Sequence, residues 1–483
     1  MKLKELLRNI PVLHHTADLE LDITDVHYDS RKVTAGSLFV AVTGFASDGN
    51  RFIPMALSKG AVAVVTAKKP EDDVPYVLVE SDRLALALLG CNFFGHPAKA
   101  MTMIGVTGTN GKTSTTLLLK QVLEKVLGAK VGLIGTMANL VGDEEIPTER
   151  TTPESFDLQA LFGRMRDAGC SHVVMEVSSH AVTLERIGGT HFDIAAFTNL
   201  TEDHLDFHKT MDAYCDAKAM LFERCSKAVI NIDDNFAHRM LEKAKCPVVT
   251  CSVRGKGNLN AQDLQLHAEG IHFVAAPVIG KGVDVELCIP GKFTVYNALT
   301  VLGIAQSLGI PLERSAPALA KAKGVKGRIE VVPTPGKPFS VLIDYAHTPD
   351  GLENVLSSVK DFCKGRVISV FGCGGDRDPI KRPIMGEIGV KLADFAVITS
   401  DNPRTEDPLA IIDDILKGVD PSMGPYVVVP ERRTAIRYAM DIAKKDDIIV
   451  LAGKGHETYQ EIHGVKHHLD EREEVAAHLA EMG

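Results

Sequence analysis

MTMIGVTGTNGKTSTTLLLKQVLEKVL, residues 101–127, decides how the rest of the chain is read. It opens on an apolar run, MTMIGV, that reads as a buried β-strand. A turn of Gly108, Thr109, Asn110 and Gly111 follows, and Lys112-Thr113 opens a segment with helical character. Strand, glycine loop and helix in that order are the context in which a phosphate-binding loop is credible. Backbone N–H groups of the loop and the helix start converge on one point, where the helix N-terminus favours negative charge. Lys112 adds a full positive charge for β/γ-phosphates, and Thr113 offers a hydroxyl to Mg²⁺. The usual spacing places a glycine at the position held here by Val106, flanked instead by Gly105 and Gly108. An ordinary strand–helix turn is the plain alternative, and the remaining sequence decides between them.

At 483 residues the chain is too long for a single core, and about two to four domains are expected. With 45% hydrophobic and 24% charged residues, it has the composition of a soluble globular protein. A net charge of −10, from 53 basic and 63 acidic residues, argues against a nucleic-acid partner. The N-terminus lacks a signal-peptide core and no apolar run reaches membrane-spanning length, so no membrane insertion is expected. Nine cysteines without a CxxC pair read as reduced thiols of a cytoplasmic protein.

Expected domain limits are 1–98, 99–331 and 332–483, the first near HPAK around Pro97 and the second just before TPGKP. The first segment holds strand-like SLFVAV, AVAVVTA and YVLVE, with helical stretches FIPMALSKG and RLALALLGCNFF. The polar stretches YDSRKVTAGS and TGFASDGNRF read equally as surface turns or as a ligand-facing edge. The central segment alternates strands MTMIGV, AKVGLIG, HVVMEVSS, FDIAAFTNL and KAVINID with helices, which implies a mainly parallel sheet. Ligands of such sheets sit off the carboxyl ends of the strands. Thr136, then Glu176 with Ser178, Ser179 and His180, then Asn199 through His208 lie at those ends. Glu176, in an apolar strand, needs a partner: a cation beside a phosphate loop, or a neighbouring arginine or backbone group. Asp203, His204, Asp206 and His208 are candidate metal ligands or bases. A strongly apolar helical pattern starts near Asn297. The last segment alternates again, and its strand ends gather Asp344, His347, Asp376, Arg377, Lys381, Arg382, Asp401, Asn402, Arg404, Lys454, His456 and Glu457. Arginines beside Asn and Glu suit a zwitterion, although a structural salt-bridge network uses the same residue types.

Taken together, GVTGTNGKTST, MEVSSHAV, FTNLTEDHLDFH, DAYCDAKAMLF, GKFTVYNAL, GVKGRIE, IDYAHTPDGL, FGCGGDRDPIKRPIMG, SDNPRTEDP and AGKGHETYQ resemble the Mur ligase family, in the family's order and over almost the whole chain. The resemblance implies three α/β domains: an N-terminal UDP-binding domain, a central phosphate-loop ATPase domain with a mainly parallel sheet, and a C-terminal Rossmann-like domain. It implies an ATP-dependent ligase that joins meso-2,6-diaminopimelate to the D-glutamyl γ-carboxylate of UDP-N-acetylmuramoyl-L-Ala-D-Glu, through an acyl phosphate. The implied partners are these small molecules alone, and the chain is expected to be a monomer. Gly108, Thr109, Asn110, Gly111, Lys112, Thr113, Asn297, Arg328 and Asp344 are implied as ATP contacts. Ser30, Thr151, Thr152, Ser178 and Arg186 are implied for the UDP-sugar peptide. Asp401, Asn402, Pro403 and Arg404 form the DNPR motif of diaminopimelate-adding members. With Arg382, Gly453 and Glu457 they are implied for the amino acid, the arginines taking the distal carboxylate that lysine lacks. Lys112, Glu176, His204 and Lys218 are implied as catalytic. Thr113, Glu176, His204 and Lys218 are implied to hold Mg²⁺, with Lys218 carbamylated by CO₂.

Two departures from relatives put polar contacts in question. Leu184 stands where some have Gln, and Phe45 replaces a more polar residue near the UDP pocket. His180 and His208 are candidates for the base that deprotonates the attacking amine. The alternatives are a lysine-adding ligase, a folylpolyglutamate-synthase-like ligase, and a phosphate-loop NTPase that does not ligate.

Overall fold

The computed structural model describes residues 1–44, 47–148 and 150–482, except for the side chain of Asp206. Phe45 therefore lies outside the described residues, as does the proposed ligand role of Asp206. By internal contacts the chain forms two compact units. One is Met1–Ser252 with Lys256–Asn258 and Thr300–Pro311; the other is Val253–Gly255, Leu259–Leu299 and Leu312–Gly483.

The first unit holds two sheets. Near the N-terminus, strands run in the spatial order Val12–His15, Tyr76–Val79, Ala63–Thr66, Leu38–Ala41, Val26–His27, and only the first edge pair is antiparallel. SLFVAV, AVAVVTA and YVLVE are therefore strands; the exposed Val12–His15 and the two-residue Val26–His27 carry too little apolar pattern to be read. The helix Asp82–Phe93, capped by the Ser81 hydroxyl on Leu84 N–H, packs on the helix Ser155–Asp167.

The second sheet has a parallel centre. Val248–Ser252, Cys225–Asn231, Phe192–Phe197, Thr102–Thr107, His172–Glu176 and Val131–Ile134 lie side by side. Strands buried on both faces are continuously apolar rather than alternating, which is why MTMIGV and HVVME were legible. Ile104 and Val106 are fully buried, and side chains of this kind contribute about 1.5–3 kcal/mol each when removed from water. The strand Thr102–Thr107 sits between Phe192–Phe197 and His172–Glu176, so three carboxyl ends open together. The helix Lys112–Leu127 follows, burying Thr115, Leu118, Leu119, Val122 and Leu123, and ends on Gly128 at φ 62°.

The second unit is built on a sheet ordered Glu330–Val332, Ser340–Asp344, Ile448–Ala452, Val367–Phe371, Phe395–Ile398, Tyr426–Val428, parallel except for its first strand. The apolar runs SVLID, VISVF, FAVI, YVV and IIVLA form its five parallel strands, the alternation expected of this segment. Three strands absent from that reading, Leu259–His267, Gly270–Pro277 and Val283–Leu287, form an antiparallel meander in this unit. The helix carrying Asn297 runs Lys292–Ser307, so it begins at Lys292 rather than near Asn297. Among the described residues no helix is long and apolar enough to cross a membrane.

Candidate active site

The phosphate loop is held from outside by the segment after the strand Phe192–Phe197. Asn199 O accepts from Thr109 N–H at 2.8 Å, and Asn199 Oδ1 accepts from Asn110 N–H at 2.9 Å. The Thr198 hydroxyl and Asn199 amide both donate to Asn110 O, at 2.6 and 3.0 Å. Gly108 adopts φ 147°, and a Cβ there would stand 1.9 Å from Thr198 Oγ1. Glycine is therefore required by both conformation and space.

Two lysines converge on this loop. Lys112 Nζ donates to Gly108 O at 3.0 Å and Thr109 O at 2.8 Å; Lys218 Nζ donates to the same Gly108 O at 2.8 Å. Lys218 is 1% exposed and lies 4.5 Å from the Tyr214 ring centroid. Burial, aided by the nearby Lys112 charge, pulls its pKa well below the ordinary lysine value. Tyr214 OH lies 3.2 Å from Thr109 Oγ1.

Glu176 ends its strand 1% exposed. Its two oxygens accept from Thr136 N–H and Thr136 Oγ1, both at 3.0 Å, and no cation neutralises it among the described residues. A buried carboxylate with two neutral donors and no countercharge is the kind of group that a cation completes. The histidines are not a preformed cage: among the described residues no three His, Cys, Asp or Glu side chains gather to hold a metal. His204 is half-exposed, at φ 53°, and 3.4 Å from Asp203. His180 packs edge-on against His204 with ring centroids 4.8 Å apart, and buried His208 shares a hydrogen bond of 2.8 Å with Ser179.

Thr151, Thr152, Ser178 and Arg186 come together around the Glu176 strand end. Thr152 Oγ1 donates to Glu176 O at 2.9 Å, Arg186 donates to Thr152 O at 3.2 Å, and Thr151 Oγ1 lies 3.0 Å from Thr136 Oγ1. Ser178 caps the short helix Ser179–Thr183 through Ala181 N–H. Arg186 is countered by Glu154 at 3.5 Å, a partner that sequence reasoning missed. Ser30 belongs to the N-terminal sheet region, its hydroxyl 3.4 Å from Met55 Sδ. Leu184 is buried, which makes it a core side chain here.

In the second unit the DNPR loop follows the strand Phe395–Ile398 and is organised by Asn402. Its side-chain oxygen accepts from Lys454 Nζ and Glu461 N–H, each at 2.9 Å, and its amide donates to Glu457 at 2.8 Å. Arg404 is fixed through its backbone: Arg404 N–H donates to Glu461 O at 3.0 Å and His463 N–H to Arg404 O at 2.6 Å. Its guanidinium donates to Gly375 O at 2.7 Å. Gly374 leaves room for it, since a Cβ there would lie 3.0 Å from Nη1. Arg382, by contrast, is engaged by Asp414 at 2.9 Å and Glu406 at 2.8 Å. Gly453 adopts φ 120°, and a Cβ would stand 2.4 Å from Asp401 Oδ2. Burial pushes the Asp401 carboxyl up, but the Lys454 and Arg432 charges outweigh it and hold it below the usual range.

Beneath this loop lies a fully buried pair absent from the sequence reading. Arg432 Nη2 is 2.7 Å from Glu471 Oε1 and donates to Ala452 O at 3.0 Å. Helical spacing held the signal, because Arg432 shares the buried face of Ala435, Ile436, Ala439 and Met440.

Asn297 is buried and Arg328 exposed, its guanidinium 5.8 Å from the Tyr345 ring centroid. Asp344 accepts from Ile329 N–H at 2.8 Å, and burial raises its pKa to about 6.

Comparison with known proteins assigns these segments. Family models match for the Mur ligase middle domain at residues 106–305, for the Mur ligase glutamate ligase domain at 327–455, and for the Mur ligase family catalytic domain at 22–92. The chain is 48% identical to the UDP-N-acetylmuramoyl-L-alanyl-D-glutamate–2,6-diaminopimelate ligase of Caldanaerobacter subterraneus, covering 100% of this chain and 99% of that one. It is 46% identical to the Clostridium tetani enzyme of the same name over 100% of both chains. A solved structure of a UDP-N-acetylmuramoyl-L-alanyl-D-glutamate–2,6-diaminopimelate ligase superposes with a TM-score of 0.77 at 31% identity, covering 100% of this chain and 99% of that chain.

Proposed function

The chain belongs to the Mur ligase family, and from that membership we propose that it joins meso-2,6-diaminopimelate to the D-glutamyl γ-carboxylate of UDP-N-acetylmuramoyl-L-Ala-D-Glu at the expense of ATP. A γ-carboxylate oxygen attacks the γ-phosphorus, the bond to the bridging oxygen breaks and ADP leaves. The diaminopimelate amine then attacks the acyl-phosphate carbonyl. The tetrahedral adduct loses inorganic phosphate and the nitrogen loses a proton, which leaves the amide.

The observation that carries the reading is the glycine loop between the strand Thr102–Thr107 and the helix Lys112–Leu127, with Lys112 Nζ lying over it against Gly108 O and Thr109 O. Two anions meet in the first step, so fixed positive charge and positioning supply most of the acceleration. Thr113 and Glu176 would hold Mg²⁺, with His204 and a carbamylated Lys218 as further ligands; bound there, the cation neutralises phosphate charge. Burial supports the carbamate, since only an unprotonated amine adds to CO₂, releasing a proton to form the anionic carbamate. Thr151, Thr152, Ser178, Arg186 and, separately, Ser30 bind the nucleotide-sugar peptide. Asn297, Arg328 and Asp344 complete the nucleotide contacts.

For the amino acid, Arg404 receives the distal carboxylate and Glu457 with Gly453 receives the distal ammonium. Arg382 already serves Glu406 and Asp414, so it acts chiefly by fixing the loop of Glu406 unless the ligand displaces one of them. Arg404 Nε lies 3.5 Å from Glu461, and a ligand lacking the distal carboxylate forgoes a further partner for this guanidinium, which disfavours lysine. Full-length protein with ATP, Mg²⁺, the UDP-linked dipeptide and meso-diaminopimelate releases ADP and a tripeptide product detected by mass; absence of both sinks the reading. Equal kcat/KM for lysine would leave the ligase and remove its specificity.

A further inference from the structure

We propose that Glu330 and Arg472 are positioning residues that lock the turn carrying Arg328 to the loop carrying Gly453 and Glu457, so that the nucleotide and the amino acid bind cooperatively. This rests on the assignments of those residues made above.

The two segments approach more closely than any side chain allows. A Cβ on Gly327 would stand 2.2 Å from His456 N and 2.3 Å from the Gly455 carbonyl carbon. A Cβ on Gly455 would stand 2.6 Å from Tyr345 Cβ and 3.0 Å from Gly327 O. Backbone thus meets backbone, with φ 73° at Gly327 and 55° at Gly455. Contact of this kind carries little burial of its own and needs something to hold it. Arg472, near the start of the helix Glu471–Glu481, supplies that. Its Nε and Nη2 fork onto both oxygens of Glu330, at 2.8 and 2.5 Å, and Nη2 also donates to Gly455 O at 3.0 Å. Glu330 in turn accepts from Gly327 N–H at 2.6 Å. One guanidinium and one carboxylate therefore grip both segments.

The grip extends to the ligand-facing residues. Gly453 N–H donates to Asp344 O at 3.0 Å, while the Asp344 side chain accepts from Ile329 N–H. Tyr345 lies between the two segments, with its ring 5.0 Å from His456 and 5.8 Å from the Arg328 guanidinium carbon. Arg328, Asp344, Gly453 and Glu457 consequently move as one body. Ordering that body for one ligand removes the ordering cost for the other, which is positive coupling without a change of shape. The pair is side chain to side chain and partly buried, and neither residue is among those proposed to bind a ligand, so its removal weakens positioning rather than contacts.

The test is an initial-rate matrix on the full-length chain, with ATP and meso-diaminopimelate varied against each other at saturating UDP-linked dipeptide. In Arg472→Lys, which keeps the charge but loses the fork, and in Glu330→Gln, both KM values rise by about five- to tenfold. kcat and the KM for the dipeptide substrate stay within about twofold of wild type. The double variant is no worse than either single one, because both break the same link. A merely structural role lowers the thermal midpoint without moving the two KM values together, and that result overturns the proposal, as does a rise in only one KM. Wild-type protein that yields no tripeptide would instead remove the premise.

Discussion

Lys112 and Lys218 share the Gly108 carbonyl, but their surroundings give them different work. On the proposed function Lys112 is the charge that meets phosphate, and Lys112→Ala is expected to lower ADP release with all substrates by about a hundredfold or more. Retained turnover would refute its role. Arg404→Ala lowers kcat/KM for meso-diaminopimelate by about a hundredfold and narrows the preference over lysine, measured by a paired substrate assay. Asp344 tests its environment through pH. Its folded pKa of about 6 stands above the model-compound 3.8, because burial disfavours the anion. The folded chain therefore holds its proton longer than the unfolded one. This contribution is intact below about pH 4 and is lost as pH rises through about 6. Relative to Asp344→Asn, wild type loses about 3 kcal/mol of stability across that interval, read by denaturant titration at each pH. A difference that does not change with pH would show Asp344 to be normally ionised.

Elements place these residues where none could place itself. The strand–loop–helix of residues 102–127 was legible because its period, its glycines and its helical continuation all agree locally. What holds the loop was not legible in that stretch, since Thr198, Asn199 and Thr201 bond it from about ninety residues away in sequence. Gly108→Ala tests that dependence. Its Cβ collides with Thr198 Oγ1, so the change costs about 1–3 kcal/mol and abolishes nucleotide binding, followed by calorimetry and thermal melts. Normal nucleotide affinity in this variant would show that the loop tolerates the shift. At the DNPR loop, the hairpin Tyr459–Ile462 and Val465–His468 fixes Arg404 by backbone pairing, a role that its weakly apolar sequence does not announce.

The molecule divides into two compact units, each with residues proposed above to bind a ligand. Unfolding therefore need not be one all-or-none transition. A non-hydrolysable ATP analogue with Mg²⁺, at about a hundred times its Kd, stabilises the native state by about 2.7 kcal/mol and raises a thermal midpoint. Lys112→Ala shows no such shift at the same concentration; an equal shift would place nucleotide affinity elsewhere than at the loop.

By itself the sequence determined the α/β alternation, the phosphate loop, the polar strand ends and the DNPR motif. These are local or ordered patterns, set by side-chain period, glycine content and the fixed geometry of parallel sheets. Tertiary structure decided which charges are already spent. Arg382 bound by Asp414 and Glu406, Arg432 buried on Glu471, Glu176 accepting from Thr136, and Arg472 gripping Glu330 and Gly455 all join residues distant in the chain. Ion pairing and burial depend on distance in space, and a one-dimensional pattern carries that distance only where residues fall on the same helix or strand face.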